Sequence, residues 1–418
     1  MRMSAATLAP ARALLLGAMA TLMGCASLGP ELPTVTADEA YLEVRPGIRT
    51  LDADGRFEVL PSSVVAQRLQ ARLGNQRISI LALSSGGATG AFGAGALAGL
   101  TRSATRPEFS VVTGVSAGAL LAPLAFLGPQ WDAEMTAIYT GDATHDLLQR
   151  HVLAGLFGSS VYSGAPLRRL IERYADERLI AAVAAQSARG RLLLVATTEF
   201  ATGEPVIWDL SSVALYGGPD ATRLFRSILL ASASVPGMFP PVLIRVRTAD
   251  GPRDELHVDG GVTVPFFVAP APQDLPPSGV ASQPPLVRII IDGRLRDFPY
   301  TAHANAYSIF RRSVSAGLNN MTRTTLEWAV EASRRRGISL EYAAIPPSYP
   351  LLQGAFDFNP NGQRALFEYA SSCAQAGRLW INAPSVEPVR AGEQHPASAS
   401  ATCPADDRFI GQFAALEP

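Results

Sequence analysis

The chain contains no lysine: all 35 of its basic residues are arginine. A phosphate-binding P-loop needs a lysine after its glycines, so that class of nucleotide chemistry is excluded. Net charge is nearly absent too. The 35 basic residues face 36 acidic ones, which leaves no basic surplus for a nucleic-acid partner. The five histidines and three cysteines show no metal-ligand spacing, so neither a metal nor a cofactor is expected. Long apolar runs are lacking as well. The N-terminal run Ala13–Met23 is too short for a mature membrane span.

What is present is a globular chain of 418 residues, 48% hydrophobic, enough for one large domain or two small ones. β-Branched and aliphatic runs predict strands at Ile78–Leu83, Phe109–Thr113, Leu192–Thr198, Val206–Trp208, Val242–Val246, Leu256–Val258 and Leu286–Asp292. Helical patterns fall at Ala91–Leu100, Ala119–Leu127, Ala165–Ala175, Ala221–Ala231 and within Ala304–Arg335. Strands alternating with helices argue for an α/β fold, a mainly parallel central sheet flanked by helices on both faces. Pro265–Pro285 reads as an exposed loop and Glu393–Ala405 as loose chain.

The segment Gly114-Val115-Ser116-Ala117-Gly118 follows an apolar strand and precedes an apolar helix. A serine on such a strand-turn-helix corner is strained and exposes its Oγ, as an acyl-transfer nucleophile requires. G-x-S-x-G is short, however, and chance matches are common in a chain rich in glycine and alanine. Upstream, Ser84-Ser85-Gly86-Gly87-Ala88-Thr89-Gly90 breaks the strand Ile78–Leu83. Successive backbone N–H groups in a glycine turn bind anions. The dinucleotide fingerprint is not met, because its first glycine is Ser85 and no acid occurs through Thr105. The remaining anion is the oxyanion of a tetrahedral acyl intermediate. Downstream, Asp259-Gly260-Gly261 ends an apolar strand, which is either a turn or a carboxylate partner for Ser116.

A serine nucleophile needs a base. His303 lies after the Leu286–Asp292 strand, where a Ser-Asp-His hydrolase places its histidine, and is the chemical rival to Asp259. His257 shares a strand face with Asp259 and fits a structural role better. His145 and His151 suit a helix surface.

These segments, taken in order, resemble the patatin-like phospholipase family. The matching pieces are the run from Leu83 to Leu97, Gly114–Gly118, Ala231–Pro241 and Asp259-Gly260-Gly261. The resemblance implies a three-layer fold and a serine acyl hydrolase acting on (phospho)lipid esters, of phospholipase A or lysophospholipase type. It further implies a Ser116–Asp259 dyad without histidine, and an oxyanion hole at Gly86, Gly87, Ala88 and Gly90. Ser85 stands where the family usually has glycine, and Thr89 where it usually has arginine or lysine. Those departures leave a second class open: a lipid-anchored binding or scaffold protein with little turnover. Leu153–Phe157 and Pro236–Phe239 are candidates to line an acyl channel.

At the N-terminus, Arg2 and Arg12 precede the apolar run, which ends in Leu22-Met23-Gly24-Cys25. That pattern resembles the bacterial lipoprotein box, with Cys25 lipidated after removal of a signal peptide at residues 1–24. Ala26 after it favours the outer membrane, facing the periplasm. A tether is expected over 25–56, the catalytic domain over 57–385 and a loose tail over 386–418. In an oxidising compartment the remaining pair, Cys373 and Cys403, suggests one disulfide holding that tail.

Overall fold

The computed structural model describes residues 47–141, 147, 160, 162–248, 251–277, 283–295, 306–350, 358–383 and 402–406. The strands are β1 (Ile48–Leu51), β2 (Phe57–Leu60), β3 (Ser79–Leu83), β4 (Val111–Val115), β5 (Leu192–Glu199), β6 (Glu204–Asp209), β7 (Val242–Thr248), β8 (Gly251–Asp259), β9 (Leu286–Ile291), β10 (Ser339–Ala344) and β11 (Ile381–Asn382). They form one sheet in the order β11-β10-β9-β3-β4-β5-β6-β1-β2, with β8 joined to β5 and β7 to β8. The central strands β10, β9, β3, β4 and β5 run parallel. Antiparallel partners flank them.

Every residue of β3 and β4 is buried, the pattern of strands covered on both faces. Because side chains alternate along a strand, the sheet divides the core in two. Leu81, Leu83, Val112, Leu193 and Val195 face one core, which includes helices α2 (Ala91–Arg102), α3 (Ala117–Leu127) and α8 (Gly218–Ser232). It also takes in α10 (Pro360–Gln375). Ile80, Ala82, Val111, Leu192 and Leu194 face the other. There they meet α1 (Ser62–Leu73), Leu326 and Ala329 of α9 (Ala306–Arg335), and Phe266–Ala269. This is the expected α/β three-layer arrangement.

The register of β5 brings two strand ends together. β4 pairs in parallel with β5 over Leu192–Ala196, ending with Val115 opposite Ala196. β8 pairs antiparallel with β5, beginning with Asp259 opposite Thr197. The C-terminal ends of β4 and β8 therefore point at each other beside two consecutive residues of one strand.

Two expectations need correction. The tether does not extend to residue 56, because Ile48–Leu51 forms β1 and pairs with β6 and β2. Ile48 is buried and Arg49 reaches Glu255, so this segment belongs to the domain. Nor is Pro265–Pro285 an exposed loop throughout. Phe266, Phe267, Val268, Ala269 and Leu275 are buried, and the Thr113 hydroxyl donates to the Phe267 carbonyl. Apolar side chains, not the proline content, decide where that segment lies. In the tail, Cys403 is bonded to Cys373 of α10, with Cα atoms 5.5 Å apart. Tyr369 Oη donates to the Thr402 carbonyl beside it.

Candidate active site

Ser116 occupies the corner between β4 and α3 with φ +56° and ψ −120°. A non-glycine residue there stores roughly 1–3 kcal/mol of strain, which surrounding contacts must hold in place. The Ser116 N–H donates to Ser232 Oγ at 3.0 Å, and Ser232 Oγ donates to the Ala196 carbonyl at 2.7 Å. Ser232 is fully buried at the end of α8 and so ties the corner to β5. Gly118 permits the tight crossing of helix and loop. A Cβ there would stand 2.5 Å from the Leu83 carbonyl oxygen and 2.6 Å from that of Ser84.

The Ser116 hydroxyl donates to Asp259 Oδ2 at 2.6 Å. The other carboxylate oxygen, Oδ1, accepts the Gly261 N–H at 2.7 Å. The backbone of Asp259 is fixed as well: its N–H donates to the Ser234 carbonyl, and its carbonyl accepts Thr198 Oγ1. Both side chains are buried, Ser116 at 6% and Asp259 at 3% exposure. Burial pushes the Asp259 carboxyl up to about 7, and the hydrogen bonds from Ser116 and Gly261 only partly oppose it. The result is a carboxylate desolvated enough to act as a base, one hydrogen bond from a strained serine.

The glycine turn lies alongside. Residues Gly87–Gly90 form a 3₁₀ turn leading directly into α2. Its first hydrogen bond runs from Thr89 N–H to the Gly86 carbonyl, which places the N–H groups of Gly87 and Ala88 ahead of the ladder. Gly90 closes the turn, facing Ala117 and Tyr139. Ser85 sits against Gly261, so the turn adjoins the Asp259 corner too.

His257 does not face Ser116. Its Nδ1 shares a hydrogen bond with Thr197 Oγ1 at 3.0 Å, and its Nε2 with Glu255 Oε2 at 3.1 Å. Burial pushes its imidazole down. Burial also pushes the Glu255 carboxyl up, but His257 and Arg49 outweigh that and hold it at about 2. This network braces β8 two residues before Asp259. Pro236 is exposed while Phe239 is buried against Tyr162, so that segment divides between surface and core. Cys25, His145, His151, Leu153–Phe157, His303 and His395 lie outside the described residues. Among the described residues no cluster could hold a metal ion, and no helix is long and apolar enough to cross a membrane.

Two residues in this arrangement were not singled out by sequence: Ser232 and Thr198. Ser232 had a partial signal, since it lies in the small-residue run Ala231–Ser234 before the proline turn.

Residues 81–270 match the family model for patatin-like phospholipase. No curated protein matches the chain. Among solved structures, the crystal structure of VipD from Legionella pneumophila is similar over 82% of this chain and 72% of that one, at 12% identity and a TM-score of 0.38. The family match spans the glycine turn, the Ser116 corner and the Asp259 strand end. Residues 81–270 of this chain are thus a patatin-like phospholipase domain, the domain of a lipid acyl hydrolase family.

Proposed function

We propose that the chain hydrolyses fatty-acyl esters of (phospho)lipids through a Ser116–Asp259 dyad, without a histidine. The observation that carries this reading is the 2.6 Å hydrogen bond from Ser116 Oγ to a buried carboxylate that has no other side-chain partner among the described residues. The dyad needs no third group to choose a tautomer, as a histidine base would.

The proposed reaction runs in two half-steps. Ser116 Oγ attacks the ester carbonyl and gives its proton to Asp259 Oδ2. The N–H groups of Gly87 and Ala88 stabilise the oxyanion that develops. On collapse, Asp259 returns the proton to the departing alcohol and the acyl group remains on Ser116. Water then attacks the acyl carbon while Asp259 takes its proton. The second tetrahedral species collapses, releasing the fatty acid and restoring the serine hydroxyl. A base near pH 7 suits both proton transfers, because it can accept and donate without a large penalty.

The anchor belongs to the same proposal. Lipidation at Cys25 would hold the enzyme on the membrane that carries its substrate, facing the periplasm from the outer membrane. The deciding experiment is labelling of full-length protein by a fluorophosphonate, alongside release of fatty acid from phospholipid vesicles. Labelling and release together, both lost in Ser116→Ala, support the reading. A protein that binds vesicles but neither labels nor releases fatty acid belongs to the binding or scaffold class instead.

A further inference from the structure

Asp292 follows β9 and is fully buried behind the glycine turn. It grips that turn at four points. Its backbone N–H donates to Ser84 Oγ at 2.8 Å. Its carbonyl accepts Thr89 Oγ1 at 2.6 Å, and the same hydroxyl reaches the Gly86 carbonyl at 2.7 Å. Its carboxyl Oδ1 accepts the Gly93 N–H, in the first turn of α2, at 2.7 Å. Gly86 lies so close that a Cβ on it would run into the Asp292 carbonyl and Cβ. Ser84, Gly86, Thr89 and Gly93 bracket Gly87 and Ala88 on both sides, and one residue touches all four.

We propose that Asp292 is the positioning residue of the oxyanion loop, fixing Gly87 and Ala88 from behind so that their N–H groups are preorganised before charge develops on the substrate. The proposal rests on the functional reading above. It also gives Thr89 a role: its hydroxyl joins the Gly86 carbonyl of the turn to the Asp292 carbonyl behind it. Burial pushes the Asp292 carboxyl well above the usual carboxylate range, while its Oδ1 accepts the Gly93 N–H.

The test compares full-length wild type with Asp292→Ala, Asp292→Asn and Thr89→Val on one soluble short-chain ester. Each protein is also titrated with a trifluoromethyl ketone, whose adduct on serine carries an oxyanion. Asp292→Ala should lower kcat by about 100-fold, the scale of losing an oxyanion donor, with KM changed less than about threefold. Ketone affinity should fall in parallel with kcat/KM. Asp292→Asn should recover most of the loss, since its amide oxygen can still accept from Gly93. Thr89→Val, which fills similar space, should lower kcat by about tenfold and keeps the test available if Asp292→Ala does not fold. Wild-type kcat and ketone affinity in folded Asp292→Ala or Thr89→Val overturn the proposal, as does an Asp292→Asn no better than Asp292→Ala. An inert wild type that no fluorophosphonate labels would instead overturn the functional reading, and this inference with it.

Discussion

Ser116 and Asp259 are 143 residues apart in sequence and 2.6 Å apart in space. What joins them is β5, whose neighbouring residues Ala196 and Thr197 pair with Val115 and Asp259. Two strands entering from opposite directions end against each other, and the corner after one meets the last residue of the other. The proposed dyad thus rests on sheet hydrogen bonds, the least mobile part of such a fold.

The pH dependence follows from Asp259. A base must be deprotonated, so kcat/KM should rise with pH through about 7, where burial has pushed this carboxyl. Stability should move the other way. Unfolded Asp259 loses its proton near 3.8, while the folded protein keeps it until about 7. Between those values the native state binds more protons, so raising the pH destabilises it at this site. Asp259→Asn removes that penalty. Its melting temperature should match wild type near pH 4 and exceed it near pH 8, a difference that scanning calorimetry can read.

His257 separates structural from catalytic roles. Both of its ring nitrogens are engaged, by Thr197 and Glu255. His257→Ala should therefore cost about 1–3 kcal/mol in denaturant unfolding, the scale of buried groups losing their partners. Its kcat should stay within about tenfold of wild type. His303→Ala should retain most activity under the dyad. A base histidine contributes roughly 100- to 10,000-fold, so a hundredfold loss in folded His303→Ala would establish a triad instead.

The disulfide closes a loop with a sequence separation of 30 residues. Loop entropy of that size contributes roughly 3–4 kcal/mol. Cys403→Ser should lower the unfolding free energy by an amount of that order while leaving kcat unchanged, because neither cysteine touches the dyad.

Cys25 is tested in cells. Cys25→Ser should accumulate as unprocessed precursor and take up no labelled palmitate. Acylated, membrane-bound Cys25→Ser protein would show that the anchor lies elsewhere.

Much of this arrangement was legible in the chain. The strands at Ile78, Phe109, Leu192 and Leu286 announced themselves because burial on both faces forces continuous apolar runs. Ser116, the glycine turn and Asp259 were legible because sharp corners demand glycine at fixed offsets. Edge elements were not. β1 and β2 are four residues each, with exposed positions such as Glu58 and Val59 in β2, and resemble linker. Ser339–Ala344, with Glu341 between Leu340 and Tyr342, alternates too briefly to stand out from the helix before it. α10 carries Asn, Gly and Gln in its first turn, which hides a helix capped by Asn359. Asp292 gave no signal at all. Its importance comes from Ser84, Gly86, Thr89 and Gly93, about 200 residues away, and only the fold brings them together.

The central claim is that Ser116 is activated by Asp259, and mapping a fluorophosphonate adduct by mass spectrometry tests it most directly. Wild type should carry one adduct, on Ser116, and folded Asp259→Asn should carry almost none in the same time. An adduct on another residue, or equal labelling of Ser116 in Asp259→Asn, would contradict the account.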